Sequence, residues 1–136
     1  MISELKSSHK KNELILIVED DKFLRELLVR KIKDEGFKLS IAVTGQEALA
    51  KAKKDRPQLI LLDLILPGMG GFEVLEQIRI DPQISKIPVI ILSNIGEERE
   101  VEKGIQLGAS GYLIKAHFTP DEIIQKIKQV LDKKDL

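Results

Sequence analysis

The chain has 136 residues, of which 22 are Lys or Arg and 22 are Asp or Glu, and it contains no cysteine. This length corresponds to about one domain, and the even charge balance provides no overall basic field for nucleic acid or for a membrane surface. Disulfides, thiolate metal sites and cysteine nucleophiles are excluded, and no apolar run approaches the roughly 20 residues that span a bilayer, so we expect a soluble cytoplasmic protein.

Apolar runs in the chain predict five strands, each followed by a helical pattern. Residues 1–12 have no apolar periodicity and are predicted to form a flexible tail, which leaves one domain over residues 13–133. In chain order, strands are predicted at residues 14–18, 37–43, 59–62, 89–92 and 112–114.

The first two helices have clear start and stop signals. Asp21 is a candidate N-cap of the first helix, and Gly36 is predicted to close it. Thr44 and Glu47 form a capping box that opens the second helix. The apolar positions of the first helix keep a period of 3.6 residues: Phe23, Leu24, Leu27, Leu28 and Ile32.

Three further helices are predicted, the third starting at about residue 72. The fourth, at about 97–107, is highly charged and should be the least firmly packed, because its apolar anchors are only Val101, Ile105 and Leu107. Thr119 and Glu122 form a second capping box before the last helix. That helix has a regular apolar stripe: Ile123, Ile124, Ile127, Val130 and Leu131.

Strict alternation of strands and helices predicts the fold. Continuous apolar strands indicate a parallel sheet that is covered by helices on both faces, and right-handed crossovers make it a doubly wound α/β fold. We therefore predict a three-layer (βα)5 sandwich of the flavodoxin-like type, with strand order 2-1-3-4-5. Its switch point lies between strands 1 and 3, where ligands bind in such folds.

Polar residues follow four of the five strands: Glu19 and Asp20, Asp63, Ser93 and Lys115. Because neighbouring strands lie roughly 4.8 Å apart, these side chains could converge on one shallow pocket. Clustered carboxylates need a cation, and oxygen ligands suit Mg²⁺, while lysine and a hydroxyl suit phosphoryl oxygens. Taken singly, such residues often cap helices, occupy turns or are solvated. Their coincidence at one sheet edge favours a common site.

Four segments carry a resemblance to a known family: residues 15–21 (ILIVEDD), 62–71 (LDLILPGMGG), 90–93 (IILS) and 108–115 (GASGYLIK). They resemble the receiver domain of two-component response regulators, and the resemblance covers about residues 13–133. It implies that Asp63 accepts a phosphoryl group from a phosphohistidine on a sensor histidine kinase or phosphotransfer protein. It further implies that the chain catalyses only its own phosphorylation and dephosphorylation and is otherwise not an enzyme.

The resemblance also implies a Mg²⁺ site beside the acceptor. Asp20 would bind the ion directly, and Glu19 would bind it directly or through water. Asp63 and the backbone carbonyl of Ile65 would complete the protein ligands. The side chain of Ile65 is apolar, and we expect it to restrict the attacking water, so that the phosphoryl group is lost slowly.

The remaining implied roles concern the switch. Ser93 would bond the phosphoryl group, Lys115 would pair with it, and Tyr112 would be the aromatic switch residue. The output would then be a protein contact of the face formed by helix 4, strand 5 and helix 5. In the family a proline usually follows the lysine, but here it is Ala116, so we predict a trans Lys115–Ala116 bond.

The leading hypothesis is a stand-alone, phosphorylation-controlled signalling switch, with an unknown downstream protein as its target. It would be a monomer or a phosphorylation-dependent dimer and would bind neither nucleic acid nor membrane. An alternative is a receiver-fold adaptor that binds partners independently of phosphorylation. A third is a flavin-binding electron carrier on the same fold, which is disfavoured because acids follow strand 1, where a flavin phosphate requires glycines and hydroxyls.

Overall fold

A computed structural model describes residues 13–134 of the chain, and the predicted tail over residues 1–12 lies outside the described residues. Strands and helices alternate through this range as predicted. In order they are β1 (Leu14–Val18), α1 (Lys22–Asp34), β2 (Lys38–Ala42), α2 (Gly45–Asp55), β3 (Leu59–Leu62), α3 (Gly71–Ile80), β4 (Val89–Ser93), α4 (Glu98–Gln106), β5 (Gly111–Ile114), a short 3-10 helix (Lys115–His117) and α5 (Pro120–Lys134).

The five strands form one parallel sheet in the order β2-β1-β3-β4-β5, which confirms the predicted topology. The register aligns the ends of the strands that carry the polar residues, since Val18 pairs with Leu62 and Leu62 pairs with Ile91. The pairing extends one step beyond β3, where the Asp63 amide donates to the Val18 carbonyl at 3.0 Å. The backbone of Asp63 is therefore fixed by the central strands.

Two apolar clusters cover the faces of the sheet. One contains Ile15 and Ile17 of β1 with the buried side chains of α1 and α5, including the whole apolar stripe predicted for α5. The other contains Leu16 and Val18 with α2 and α3. Alternate residues of β1 thus pack on opposite faces, which is why its sequence is apolar throughout.

The predicted helix caps are present. The Asp21 carboxylate accepts hydrogen bonds from the amides of the second and third residues of α1. The Thr44 hydroxyl accepts from the Glu47 amide at 3.1 Å, but the Glu47 carboxylate accepts from the Val43 amide at 2.7 Å, so this capping box is only half formed. Thr119 and Glu122 bond reciprocally, side chain to amide in both directions, at 3.2 and 2.8 Å. These polar caps fix where the helices begin relative to the sheet edge.

Two apolar positions of the predicted helices do not reach the core. Phe23 is 81% exposed, because it lies in the first turn of α1, ahead of the buried Leu28 and Ile32. Ile105 is 50% exposed, and α4 instead buries Gly104. A Cβ atom at residue 104 would lie 2.8 Å from the Ile91 Cδ1 atom, so a glycine is required for α4 to approach the sheet this closely.

The predicted trans peptide bond after Lys115 is present. All described peptide bonds are trans, including Lys115–Ala116, and the 3-10 helix starts at this point.

Among the helices that the structure describes, none has the length and apolar character that crossing a bilayer would demand.

Candidate functional site

Three carboxylates meet at the carboxyl edge of the sheet, as predicted. Glu19 and Asp20 follow β1, Asp63 follows β3, and one oxygen atom from each lies within 4.8 Å of the others. Glu19 and Asp63 are buried, with 2% and 5% exposure, whereas Asp20 is exposed. The cluster is therefore closed by the protein below and open to solvent on the side of Asp20.

Lys115 reaches this cluster from the end of β5. Its Nζ atom lies 2.9 Å from Glu19 Oε1 and 3.3 Å from Asp63 Oδ2. The other oxygen of each acid is held by backbone, since the Asp21 amide donates to Glu19 Oε2 at 3.1 Å and the Ile65 amide donates to Asp63 Oδ1 at 3.2 Å. Both buried carboxylates are thus held in fixed orientations.

Burial and the close charges shift the pKa values of Glu19 and Lys115 in this cluster. Burial raises the pKa of Glu19 to about 7, and the nearby Asp63 adds to the increase while the hydrogen bond from Lys115 opposes it. Burial alone would lower the pKa of Lys115, but its hydrogen bonds and ion pairs with Glu19 and Asp63 raise it instead. One lysine is therefore compensating two buried acids, and a second cation would be stabilising here.

The donor set fits a hard divalent cation. Carboxylate oxygens at this spacing, with one open side for water, match the way Mg²⁺ is held by one or two carboxylates and several waters. Glu19, Asp20 and Asp63 would hold the ion. The Ile65 amide lies beside the Asp63 side chain, and its carbonyl remains a predicted additional ligand.

Arg25 supports the acidic loop but was not singled out in the sequence. Its Nη1 atom donates to the carbonyls of Glu19 and Asp20, at 2.9 and 3.2 Å. The helix dipole disfavours a cation close to the amino end of a helix. The position of Arg25 near the start of the first helix is therefore the feature of the sequence that could have indicated a specific role. Through these bonds Arg25 ties α1 to the loop that carries two of the three acids.

Gly71 allows α3 to begin directly against the backbone that follows β3. Its amide donates to the Leu64 carbonyl at 2.9 Å. A Cβ atom at residue 71 would lie 2.5 Å from the Asp63 carbonyl oxygen and 2.6 Å from the Leu64 Cα atom. Only glycine permits this contact, which positions the residues following Asp63.

Ser93 and Tyr112 meet at a different point, the backbone of Ile95. The fully buried Ser93 hydroxyl accepts from the Ile95 amide at 3.1 Å, and the Tyr112 hydroxyl donates to the Ile95 carbonyl at 2.6 Å. Neither side chain hydrogen-bonds to Asp63 in the described structure. Ile95 could not have been found from the sequence, because it takes part through backbone groups that every residue has.

Comparison with known proteins identifies the family. Residues 15–128 match the family described as the response regulator receiver domain. The match spans most of the chain, and the chain belongs to this family of two-component signalling domains.

Relatives and solved structures agree with this assignment. The chain is 35% identical over 117 residues to the phosphate regulon transcriptional regulatory protein PhoB of Rhizobium meliloti, covering 86% of this chain and 51% of that protein. It is 36% identical over 121 residues to the DNA-binding response regulator MtrA of Mycobacterium tuberculosis H37Rv, covering 89% of this chain and 51% of that one. The chain therefore spans about half the length of these curated relatives.

Among solved structures, the chemotaxis response regulator CheY4 of Vibrio cholerae superimposes with a TM-score of 0.82 at 30% identity, covering 88% of this chain and 99% of that one. A CheY-like receiver domain protein from Methanospirillum hungatei gives a TM-score of 0.83 at 29% identity, covering 92% and 98%. These neighbours have the same extent as the described fold, in contrast to the longer relatives.

Proposed function

We propose that the chain is a phosphorylation-controlled signalling switch in which Asp63 accepts a phosphoryl group from a sensor histidine kinase or a phosphotransfer protein. The observation that carries this proposal is the ion-paired cluster around Asp63, in which Lys115 lies 3.3 Å from the acceptor carboxylate and 2.9 Å from Glu19. A carboxylate placed at the sheet edge, beside a cation and two further acids, suits transfer of an anionic group.

The transfer forms one bond and breaks one. A carboxylate oxygen of Asp63 attacks phosphorus, the new P–O bond gives an acyl phosphate, and the P–N bond to the donor imidazole breaks. Lys115 faces the carboxylate and is placed to pair with phosphoryl oxygens. The Ile65 amide, which donates to Asp63 Oδ1, orients the carboxylate for the attack.

Mg²⁺, held by Glu19, Asp20, Asp63 and the Ile65 carbonyl, would neutralise the charge of the acids and of the phosphoryl oxygens. Glu19 is fixed by the Asp21 amide and by Lys115, so it is oriented before any ion binds. Asp20 is exposed and completes the site on its open side. Arg25 holds the loop that presents both acids.

Phosphorylation of Asp63 would change the conformation of the β4–α4 loop through the backbone of Ile95. A phosphoryl group on Asp63 offers new acceptor oxygens, and the Ser93 hydroxyl, which accepts from the Ile95 amide, can donate its own proton to them only by moving toward them. Because Tyr112 holds the carbonyl of the same residue, the β4–α4 loop and the tyrosine would move together. The resulting change in α4, β5 and α5 would be recognised by a downstream protein.

Several properties complete the proposal. The chain catalyses only its own phosphorylation and dephosphorylation, acts in the cytoplasm, and works as a monomer or as a dimer that depends on phosphorylation. The alternative adaptor function, which needs no phosphorylation, leaves Lys115, Glu19 and Asp63 only a structural role as buried ion pairs.

Intact-protein mass spectrometry tests the proposal. The chain is incubated with acetyl phosphate, with and without Mg²⁺, and we expect addition of one phosphoryl group only with Mg²⁺. Asp63→Asn should abolish the addition, and Asp20→Asn should reduce it strongly.

Asp34→Asn is the matched control, because this acid lies at the exposed end of α1 and should leave the addition unchanged. If the intact chain takes up no phosphoryl group from acetyl phosphate or from phosphoramidate under any condition, the adaptor function replaces the switch.

A further inference from the structure

A cavity lies at the end of the sheet where the strands begin, opposite the end that carries the acidic cluster. It has a volume of about 340 Å³ and is formed where β4 and β5 begin, against one side of α5. Pro88 precedes β4, Ser110 precedes β5, and the Ser110 amide donates to the Val89 carbonyl at 2.7 Å, which closes the floor between the two strands. The volume lies within the range of roughly 300–1,000 Å³ that is typical of small-molecule sites.

The wall of this cavity is strongly basic. Four cationic side chains line it, Arg79, Lys86, Lys126 and Lys133, and no Asp or Glu of the described residues does. The chain as a whole has as many acids as bases, so this is a local concentration of positive charge. None of the four forms an ion pair with a described carboxylate.

Arg79 is a fixed element of the wall. Its Nη1 atom donates to the carbonyls of Ser85 and Ile87 at 3.1 and 2.7 Å, and its Nε and Nη2 atoms donate to the Gly108 carbonyl at 3.1 and 2.7 Å. These partners are neutral, so the charge of the guanidinium is not cancelled. Gly108 makes room for it, since a Cβ atom there would lie 2.8 Å from Arg79 Nε.

The other polar groups are placed around this fixed charge. The stem of Lys126 crosses Gly111, where a Cβ atom would lie 3.2 Å from Lys126 Cε. Ser110 and Gln129 add a hydroxyl and an amide, which are neutral hydrogen-bonding groups, and a proline and a valine supply an apolar surface. The cavity therefore offers charge, hydrogen bonds and apolar contact together.

We propose that this basic cavity is a binding site for a phosphate-bearing small molecule, recognised by the three lysines around the fixed guanidinium of Arg79. Compensation of helix dipoles explains cations at helix ends, such as Arg79 in the last turn of α3 and Lys133 near the end of α5. It does not explain Lys86, which lies in a loop, or Lys126, which lies in the middle of α5. The inference is independent of phosphorylation at Asp63.

Amide chemical-shift mapping tests this site on the full ¹⁵N-labelled chain. Sodium pyrophosphate and adenosine 5′-diphosphate are titrated separately, without Mg²⁺ and at constant ionic strength. We expect saturable shifts of the amides of Lys86, Ser110, Lys126 and Gln129. Tighter binding of pyrophosphate identifies a free polyphosphate as the ligand class, and tighter binding of the diphosphate nucleotide identifies a nucleotide.

Variants separate a specific site from general charge. Lys126→Gln should weaken binding about tenfold, since a charge-assisted hydrogen bond is lost. Lys54→Gln is the matched control, because Lys54 is an exposed lysine near the end of α2 that does not line the cavity. This variant should bind each probe as tightly as the parent chain.

Three results would overturn the proposal: no saturable shift with either probe, an equal effect of the two variants, or equally strong shifts with sodium sulfate. The amide spectrum of each variant without ligand reports whether it is folded. Should Lys126→Gln fail to fold, Lys86→Gln replaces it in the same comparison.

Discussion

Lys115 and Glu19 form a nearly buried ion pair, with Nζ 2.9 Å from Oε1 and side-chain exposures of 16% and 3%. The same ammonium is 3.3 Å from Asp63, so one cation serves both buried acids. The lysine therefore stabilises the fold as the counter-charge of both acids. Under the proposed function it would also pair with a phosphoryl group on Asp63.

Removing the ammonium should therefore destabilise the protein in a way that depends on metal. We expect Lys115→Met to lower the free energy of unfolding by about 3 kcal/mol without Mg²⁺, because two buried carboxylates lose their counter-charge. Saturating Mg²⁺ should recover most of this loss. Urea denaturation followed by far-UV circular dichroism, with and without Mg²⁺, measures both values. Adding Glu19→Gln should partly restore stability without the metal, and an equal loss in both conditions would contradict this explanation.

The close approach of Gly71 to Asp63 gives a second prediction. Gly71→Ala should lower the free energy of unfolding by about 2 kcal/mol, because its Cβ atom would overlap the Asp63 carbonyl oxygen and the Leu64 Cα atom. It should also slow phosphorylation from acetyl phosphate, since α3 and the acceptor backbone must separate.

Gly70→Ala is the matched control for this change. The nearest atom to a Cβ at residue 70 is the Leu64 carbonyl oxygen at 3.8 Å, and the backbone φ of −71° suits any residue. We expect a cost below about 1 kcal/mol, as for loss of a glycine at a helix N-cap. Similar losses for the two alanine variants would show that the contact with Asp63 is unimportant.

Tyr112 is the only tyrosine in a chain without tryptophan, so its phenol can be titrated directly by absorbance. Burial raises its pKa above the ordinary value of 10.0, a hydrogen bond with Ser93 opposes the increase, and the carboxylate of Glu100 adds to it. The folded state therefore keeps the proton between pH 10.0 and the raised pKa. The associated stability is complete below pH 10.0 and is lost as the pH rises through the folded pKa. Tyr112→Phe should remove this part of the alkaline decline, and a phenol that titrates at or below its ordinary pKa would contradict the prediction.

Ile65 gives a prediction about the lifetime of the phosphorylated state. Its side chain is apolar and 64% exposed, and its amide bonds the acceptor carboxylate, so it lies at the rim of the site. Ile65→Asn should speed loss of the phosphoryl group severalfold, because a polar side chain can orient the attacking water. Mass spectrometry after removal of acetyl phosphate measures the rate in both proteins, with Ile65→Val as an apolar control. Equal rates for parent and Ile65→Asn would count against the idea.

The parts of this site that could be predicted from the sequence are those fixed by strand pattern. An apolar run ending in Asp63 indicates a buried parallel strand that delivers its next residue to the sheet edge, and the same holds for Glu19 and Lys115. Strand order then brings these side chains together. The second capping box formed in full, because its reciprocal hydrogen bonds between Thr119 and Glu122 are local and depend on residues three apart. The first formed in part, since the Glu47 carboxylate accepts from the Val43 amide instead of the Thr44 amide.

Predictions failed where the outcome depends on tertiary contact. The period of α1 gives the angle of Phe23 around the helix axis, but it does not tell how far along the helix the core extends, and Phe23 is exposed. In α4 the buried residue is Gly104, which hydrophobicity alone would not select, because the contact consists of the Ile91 and Tyr112 side chains filling the space that a Cβ atom would occupy. Arg25 and Ile95 were missed because they act on or through backbone groups.

The strand order also has a consequence for amide hydrogen exchange. β3 lies at the centre of the sheet between β1 and β4, whereas β5, which carries Tyr112, pairs within the described sheet only with β4. Amides of β3 should therefore exchange only through global unfolding, while those of β5 exchange through smaller local openings of lower free energy. Asp63 would thus be held by the most protected strand, and the tyrosine by one of the two edge strands, which open more readily.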